Sequence, residues 1–118
     1  MIKVSVFYPN HPGARFDFDY YTATHLPLVR DRLGAACRGV AADRGLAGGA
    51  PDAPPAYLAI AHLYFDSVDA FNAAFTPVAE QILGDIPNYT DLAPDLQISE
   101  VLGAPQVAEM GSFGTRGG

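Results

Sequence analysis

The sequence predicts an α+β fold of the ferredoxin-like type, βαββαβ, with a four-stranded antiparallel sheet. Three observations carry this. Hydrophobic patterns of strand and helical period alternate in the order β-α-β-β-α-β along 118 residues, which is the split βαβ arrangement. The clearest strand pattern is apolar on both faces, so it lies inside a sheet that is covered twice. The length suits one domain, drawn here over residues 1–104, with residues 105–118 expected to form a flexible tail.

Each element has its own warrant. Residues 2–8 (Ile2-Lys3-Val4-Ser5-Val6-Phe7-Tyr8) are rich in strand formers, and Pro9-Asn10-His11-Pro12-Gly13 ends them with a turn. A helix is expected from about Asp17 to Leu33. Asp17 can cap its first N–H groups, Asp19 suits the positive end of the helix dipole, and Gly34 can end it. Phe18, Tyr21, His25, Leu28 and Val29 share one stripe at helical spacing. Pro27 removes a backbone donor inside this run, so a kink or break is expected near Ala23–His25.

Residues 37–46 are a weaker strand, with Cys37 expected as a small buried residue at its start. The Gly/Pro-dense stretch Gly48–Pro55 is a connection. Residues 56–65 form the strand with two apolar faces: Leu58, Ile60, His62 and Tyr64 on one, Tyr57, Ala59, Leu63 and Phe65 on the other. Ser67 can cap the next helix, whose buried face is Val68, Phe71, Phe75, Val78 and Ile82. Pro77 is expected to divide that helix in two. A polar loop, Asp85-Ile86-Pro87-Asn88-Tyr89-Thr90-Asp91, leads to a last strand at residues 96–102. Helices on one side of such a sheet leave its other side bare, and a second copy of the chain is the simplest cover.

Composition supports that cover and excludes other partners. Hydrophobic residues make up 49% and charged residues only 17%, a low charged fraction for a small monomer. The net charge is −6 and the basic residues do not cluster. Nucleic-acid binding needs a basic footprint, and so does attachment to an anionic membrane surface; neither partner is expected. No apolar run approaches the roughly 20 residues of a membrane helix. The N-terminus reads as a strand rather than a signal peptide, so the chain is expected to be soluble and cytoplasmic.

The residues that can carry chemistry are few. His25 lies on the apolar stripe one helical turn after Tyr21, and imidazole titrates nearest neutrality. It is open to two readings: a proton carrier in an apolar pocket, or a core histidine bonded to a tyrosine hydroxyl or a backbone carbonyl. Tyr21, at i to i+4 from His25, can reach the same pocket, while Tyr20 points about 100° away, toward an edge. In the polar loop, Asn88 and Asp91 suit either a ligand mouth or turn chemistry, and Tyr89 is the better binding candidate. His62 on the two-faced strand can face a barrel interior or be structural. His11 belongs to a turn. The histidines lack metal-ligand spacing, and no glycine-rich phosphate loop or nucleophile elbow is present. No metal or cofactor is expected.

Three strings resemble a known family, EthD, the ethyl tert-butyl ether degradation proteins. They are Val4-Ser5-Val6-Phe7-Tyr8-Pro9-Asn10; Phe16-Asp17-Phe18-Asp19-Tyr20-Tyr21 with His25-Leu26-Pro27-Leu28; and Asp85-Ile86-Pro87-Asn88-Tyr89-Thr90-Asp91 with Gln97-Ile98-Ser99-Glu100-Val101. The resemblance spans residues 1–102 and implies a homodimer, a dimeric α+β barrel. The family's namesake is encoded with a cytochrome P450 system for ether degradation. Similar barrels include cofactor-free monooxygenases, muconolactone isomerases and polyketide cyclases, and some fungal relatives are dehydratases or decarboxylases. The implied chemistry is cofactor-independent, of oxidoreductase, isomerase, cyclase or lyase type, on a small apolar or aromatic ligand. His25 would move a proton while Tyr21 and Tyr89 orient a carbonyl or hydroxyl. A non-catalytic small-molecule binder serving an oxygenase is the other reading, and a fully packed barrel the third.

Overall fold

The computed structural model describes residues 1–103; the tail expected at 105–118 lies outside the described residues. The strands are β1 (Ile2–Pro9), β2 (Gly39–Arg44), β3 (Tyr57–Phe65) and β4 (Asp95–Glu100). They form one antiparallel sheet in the order β2-β3-β1-β4. β1 and β3 are therefore the central pair, and the two apolar faces of β3 suit that inner position.

The first helical run begins as α1 (Phe18–Tyr20), passes through a π turn (Tyr21–His25) and continues as α2 (Leu26–Leu33). Asp17 caps it by accepting a hydrogen bond from the Tyr20 amide, and Gly34 ends it at φ 65°. The left-handed φ is where a glycine is least strained. At the place where a kink or break is expected, near Ala23–His25, the helix forms this π turn, in which the Leu26 N–H reaches back to the Tyr21 carbonyl. Widening one turn accommodates the donor that Pro27 lacks without ending the helix.

The second run is α3 (Val68–Phe75), capped by Ser67, then a 3-10 turn over Thr76–Val78 and α4 (Ala79–Asp85). Pro77 thus divides this run as expected. Phe71 and Ile82 are buried, but Val68 is exposed because it stands in the first turn, beyond the sheet's cover.

Helices cover one face of the sheet. Val4, Leu63 and Phe65 pack there against Val29, Leu33, Phe71 and Ile82. A second cluster joins Tyr8, Tyr21, Ala59, Tyr89 and Leu92. On β3 the helix side is Ala59, Ala61, Leu63 and Phe65, all buried, while Leu58, Ile60, His62 and Tyr64 are half-buried on the other. Tyr57 departs from its expected side: its ring meets Phe7 at 5.3 Å. The register shift between Tyr8 and Pro9 turns it over. Cys37 lies just before β2, half-buried, with its thiol donating to the Gly39 carbonyl.

The uncovered face is mixed rather than uniformly apolar. Paired positions across β1 and β3 read Lys3–Tyr64, Ser5–His62 and Phe7–Ile60. Leu96 and Ile98 of the edge strand pair with Val6 and Val4 and so face the helix layer, yet they are 50% and 44% exposed.

Candidate functional site

Two distant segments are zipped together beside the first helix. The Asp17 amide donates to the Tyr89 carbonyl, Phe16 forms a bridge with Thr90, and the Thr90 hydroxyl donates to the Arg15 carbonyl. Arg15 adds two more ties, its amide to Asp91 Oδ1 and its guanidinium to the Pro87 carbonyl. These bonds fix the loop after α4 against the start of α1. They carry Asp85, the last residue of α4, to the face of the π turn.

There the side chains converge. His25 Nδ1 lies 2.9 Å from Asp85 Oδ2. The Tyr20 hydroxyl donates to Asp85 Oδ1 at 2.7 Å, and Asn88 Nδ2 donates to the same oxygen at 2.9 Å. His25 is 4% exposed, stacked on Tyr21 and packed against Tyr89 at ring distances of 5.8 and 4.6 Å. Both His25 and Tyr21 owe their inward position to the π turn, whose buried residues they are.

The electrostatics define the protonation states. Burial of the imidazole lowers the His25 pKa, and the Asp85 hydrogen bond and charge only partly oppose this. For Asp85, burial acts upward, but the hydrogen bonds from Tyr20, Asn88 and His25 outweigh it and hold the carboxyl below its usual range. Near neutrality the pair is a neutral imidazole and a carboxylate. An ionised carboxylate only accepts, so the proton is assigned to Nδ1. Nε2 is then an unprotonated acceptor, and it makes no hydrogen bond among the described residues.

Tyr21 has the opposite character. Burial raises its pKa strongly, with the Tyr8 phenol and Asp43 carboxylate adding to the shift, so it remains a donor. Its hydroxyl is buried and has no hydrogen-bond partner. The site thus offers one acceptor, His25 Nε2, and one donor, Tyr21 Oη. Both residues line a cavity of about 50 Å³ between helices and sheet, walled also by Tyr8, Val29, Leu63 and Phe71. That volume is well below the roughly 300 Å³ of a small-ligand pocket.

The other sequence candidates divide. Tyr20 and Asn88 belong to the cluster but spend their polar groups on Asp85. Tyr89 is fully buried, and its hydroxyl is 2.7 Å from that of Tyr8; it packs behind the imidazole. Asp91 serves the loop through the Arg15 amide. His62 lies on the opposite face of the sheet, 2.8 Å from the Ser5 hydroxyl, with the sheet between it and His25. Burial, aided by Lys3, lowers its pKa, while Asp43 opposes. Sequence reasoning missed Asp85 and Tyr8. The inward alternation of Val4, Val6 and Tyr8 on β1 was a usable signal for Tyr8. Asp85 had none, because it meets His25 only through the folded loop. Among the described residues no group of three or more His, Cys, Asp or Glu could hold a metal ion, and no helix is long and apolar enough to cross a membrane.

Comparison with known proteins agrees with this architecture. A solved structure of an EthD-like protein from Ralstonia eutropha JMP134 is 50% identical, with a TM-score of 0.86 over 89% of this chain and 95% of that one. An ethyl tert-butyl ether degradation (EthD) family protein from Bacillus halodurans C-125 is 23% identical, TM-score 0.67, over 86% and 99%. HapK from Hahella chejuensis shares the fold at 15% identity, TM-score 0.57, over 90% and 98%. No curated protein is significantly similar in sequence to the chain. The family model described as EthD domain matches residues 14–93, a span that includes the helical run, β2, β3 and the whole Asp85 loop, and the chain belongs to the EthD family.

Proposed function

We propose that this EthD-family protein performs cofactor-independent proton transfer on a small, mostly apolar molecule bearing a hydroxyl or carbonyl. The observation that carries this reading is the 2.9 Å contact of His25 Nδ1 with Asp85. It fixes the imidazole's tautomer and leaves Nε2 as a base beside the cavity. Asp85 acts through the imidazole and is a positioning residue, while Tyr20 and Asn88 hold Asp85. Desolvation keeps His25 neutral at physiological pH, which a general base requires. The Tyr21 hydroxyl stabilises negative charge developing on a substrate oxygen.

Family membership supports a setting in ether or aromatic compound degradation, and a homodimer closed through the uncovered sheet face. A specific interface of that kind buries roughly 1,600 Å² in total. Light scattering at micromolar concentration is expected to give twice the chain mass; a monomer defeats the dimer.

The catalytic reading is tested with a panel of quinols, lactones and aromatic polyketides. Turnover by the parent and a loss of roughly 10²–10⁴-fold in His25→Gln is expected. Equal turnover by the variant sinks the assignment of His25. Binding of the panel without conversion by the parent selects the accessory binder instead.

A further inference from the structure

The void beside His25 continues outward between α4 and β4. Its lining passes Ile86 and Pro94, both half-buried, and reaches Leu83 and Leu96, which are 46% and 50% exposed. The inner cavity thus opens into a slot whose outer lip is two leucines. His25 Nε2 is in contact with this space. It makes no hydrogen bond among the described residues, yet it is not sealed from solvent as the unpartnered Tyr21 hydroxyl is. Solvent that touches a nitrogen of so buried a residue arrives through the void that the residue lines.

We propose that this slot is the entrance to the site and the seat of an unbranched alkyl chain, whose hydroxyl-bearing end reaches His25 Nε2. The chain follows from size. The cavity holds about 50 Å³, whereas an apolar cavity that takes benzene measures about 150 Å³. Only the end of a chain fits inside, so the remaining carbons lie along the slot. Their character follows from the walls. Phe75, Leu83, Ile86, Pro94 and Leu96 bring side chains without a donor or acceptor, and a polar group lying against them would lose its bonds to water unpaired. The hydroxyl follows from His25: Asp85 holds the Nδ1 proton, so Nε2 accepts and its partner must donate. Leu96 pairs with Val6 and faces the helix layer. A second copy seated on the uncovered face lies across the sheet from it and leaves the slot open. The inference deepens the proton-transfer reading, on which it rests for the fate of the hydroxyl but not for binding.

The test titrates the full chain with 1-butanol, 1-hexanol and 1-octanol, followed by proton–nitrogen NMR. A further probe, 1-methoxyheptane, matches octanol in size but cannot donate. Affinity is expected to rise roughly two- to fourfold for each added methylene, fourfold being the full transfer of one CH₂. Octanol should bind roughly three- to tenfold tighter than the ether, the net worth of one hydrogen bond. Leu83→Gln and Leu96→Gln put an amide on the lip and should each weaken octanol about tenfold and butanol about twofold or less. Ile98→Gln should change neither, because Ile98 is 44% exposed on the same strand but lies outside the lining of the void. Circular dichroism and thermal melting show that each variant keeps the fold. Affinity independent of chain length overturns the slot, as does parental octanol binding by both lip variants or an equal loss in Ile98→Gln. If Leu96→Gln keeps octanol binding and changes the oligomeric state in light scattering, the lip is a protein interface and the proposal fails. Ether bound as tightly as octanol overturns the contact with Nε2. Length-dependent binding without turnover of any hydroxyl compound supports the slot and removes the proton transfer. Turnover without length-dependent binding removes the slot and leaves the proton transfer standing.

Discussion

Replacing Asp85 with asparagine tests the centre of the site. The parent carboxylate accepts from His25 Nδ1, the Tyr20 hydroxyl and Asn88 Nδ2. Asn88 is exposed and Tyr20 half-buried, so water replaces those bonds at little net cost. The His25 donor is different, because the residue is 4% exposed. A hydrogen bond to a charged group contributes about 1.5–3 kcal/mol. Asparagine keeps one acceptor and loses the charge, so Asp85→Asn should cost about 1–2 kcal/mol, and Asp85→Ala, which strands the imidazole N–H, about 2–3 kcal/mol. With a urea slope of roughly 1–3 kcal/mol per molar, a loss of about 2 kcal/mol lowers the unfolding midpoint by roughly 1 M. The electrostatic outcome is sharper. The carboxylate raises the His25 pKa against desolvation, so neutralising it must lower that pKa further. Nitrogen-15 NMR reads both quantities: the parent should show the Nδ1–H tautomer at neutral pH, and Asp85→Asn a more acidic titration. A parent His25 protonated on Nε2, or a titration unmoved by the substitution, would refute the reasoning.

Further expectations follow from the same geometry. Tyr21→Phe removes a buried hydroxyl that has no partner, so urea denaturation should show unchanged stability or a gain of about 1 kcal/mol; a loss beyond about 1 kcal/mol would reveal a bond the structure does not contain. Acidification should destabilise the fold in two steps. The His25 pKa is lowered on folding, so the unfolded chain binds more protons below about pH 6.5 and stability falls from there toward the folded value. Asp85 is also lowered, so its contribution is present above the ordinary carboxylate pKa of about 4 and is lost as pH falls through the folded value. Chemical denaturation across pH 3–8 should show both; His62, also lowered, adds to the first step, and His25→Gln should shrink that step without removing it. Ser67→Ala deletes the α3 cap, in which the Ser67 hydroxyl accepts from the Ala70 amide at 3.0 Å, and should cost about 1 kcal/mol in urea. No loss would mean that tertiary packing alone holds the helix start.

The order of elements, their caps and the two apolar faces of β3 were legible in the sequence because they are local. Asp17, Gly34 and Ser67 act on neighbouring backbone, and strand alternation repeats within a few residues. Pro27 announced an irregularity, but whether the helix breaks or widens depends on packing on both sides of it, and the fold chose a π turn that buries Tyr21 and His25 together. His25 was legible as a titratable group on an apolar stripe. Its partner was not, because Asp85 is 60 positions away in sequence and reaches the imidazole only after Arg15–Asp17 and Tyr89–Asp91 have closed on one another. Tyr89 and His62 show the converse: residue type alone named both, and the fold placed one behind the imidazole and the other across the sheet. What a side chain can do is set by its chemistry, which the sequence states. What it does is set by long-range contacts that fix burial, partner and proton, and those exist only in the folded chain.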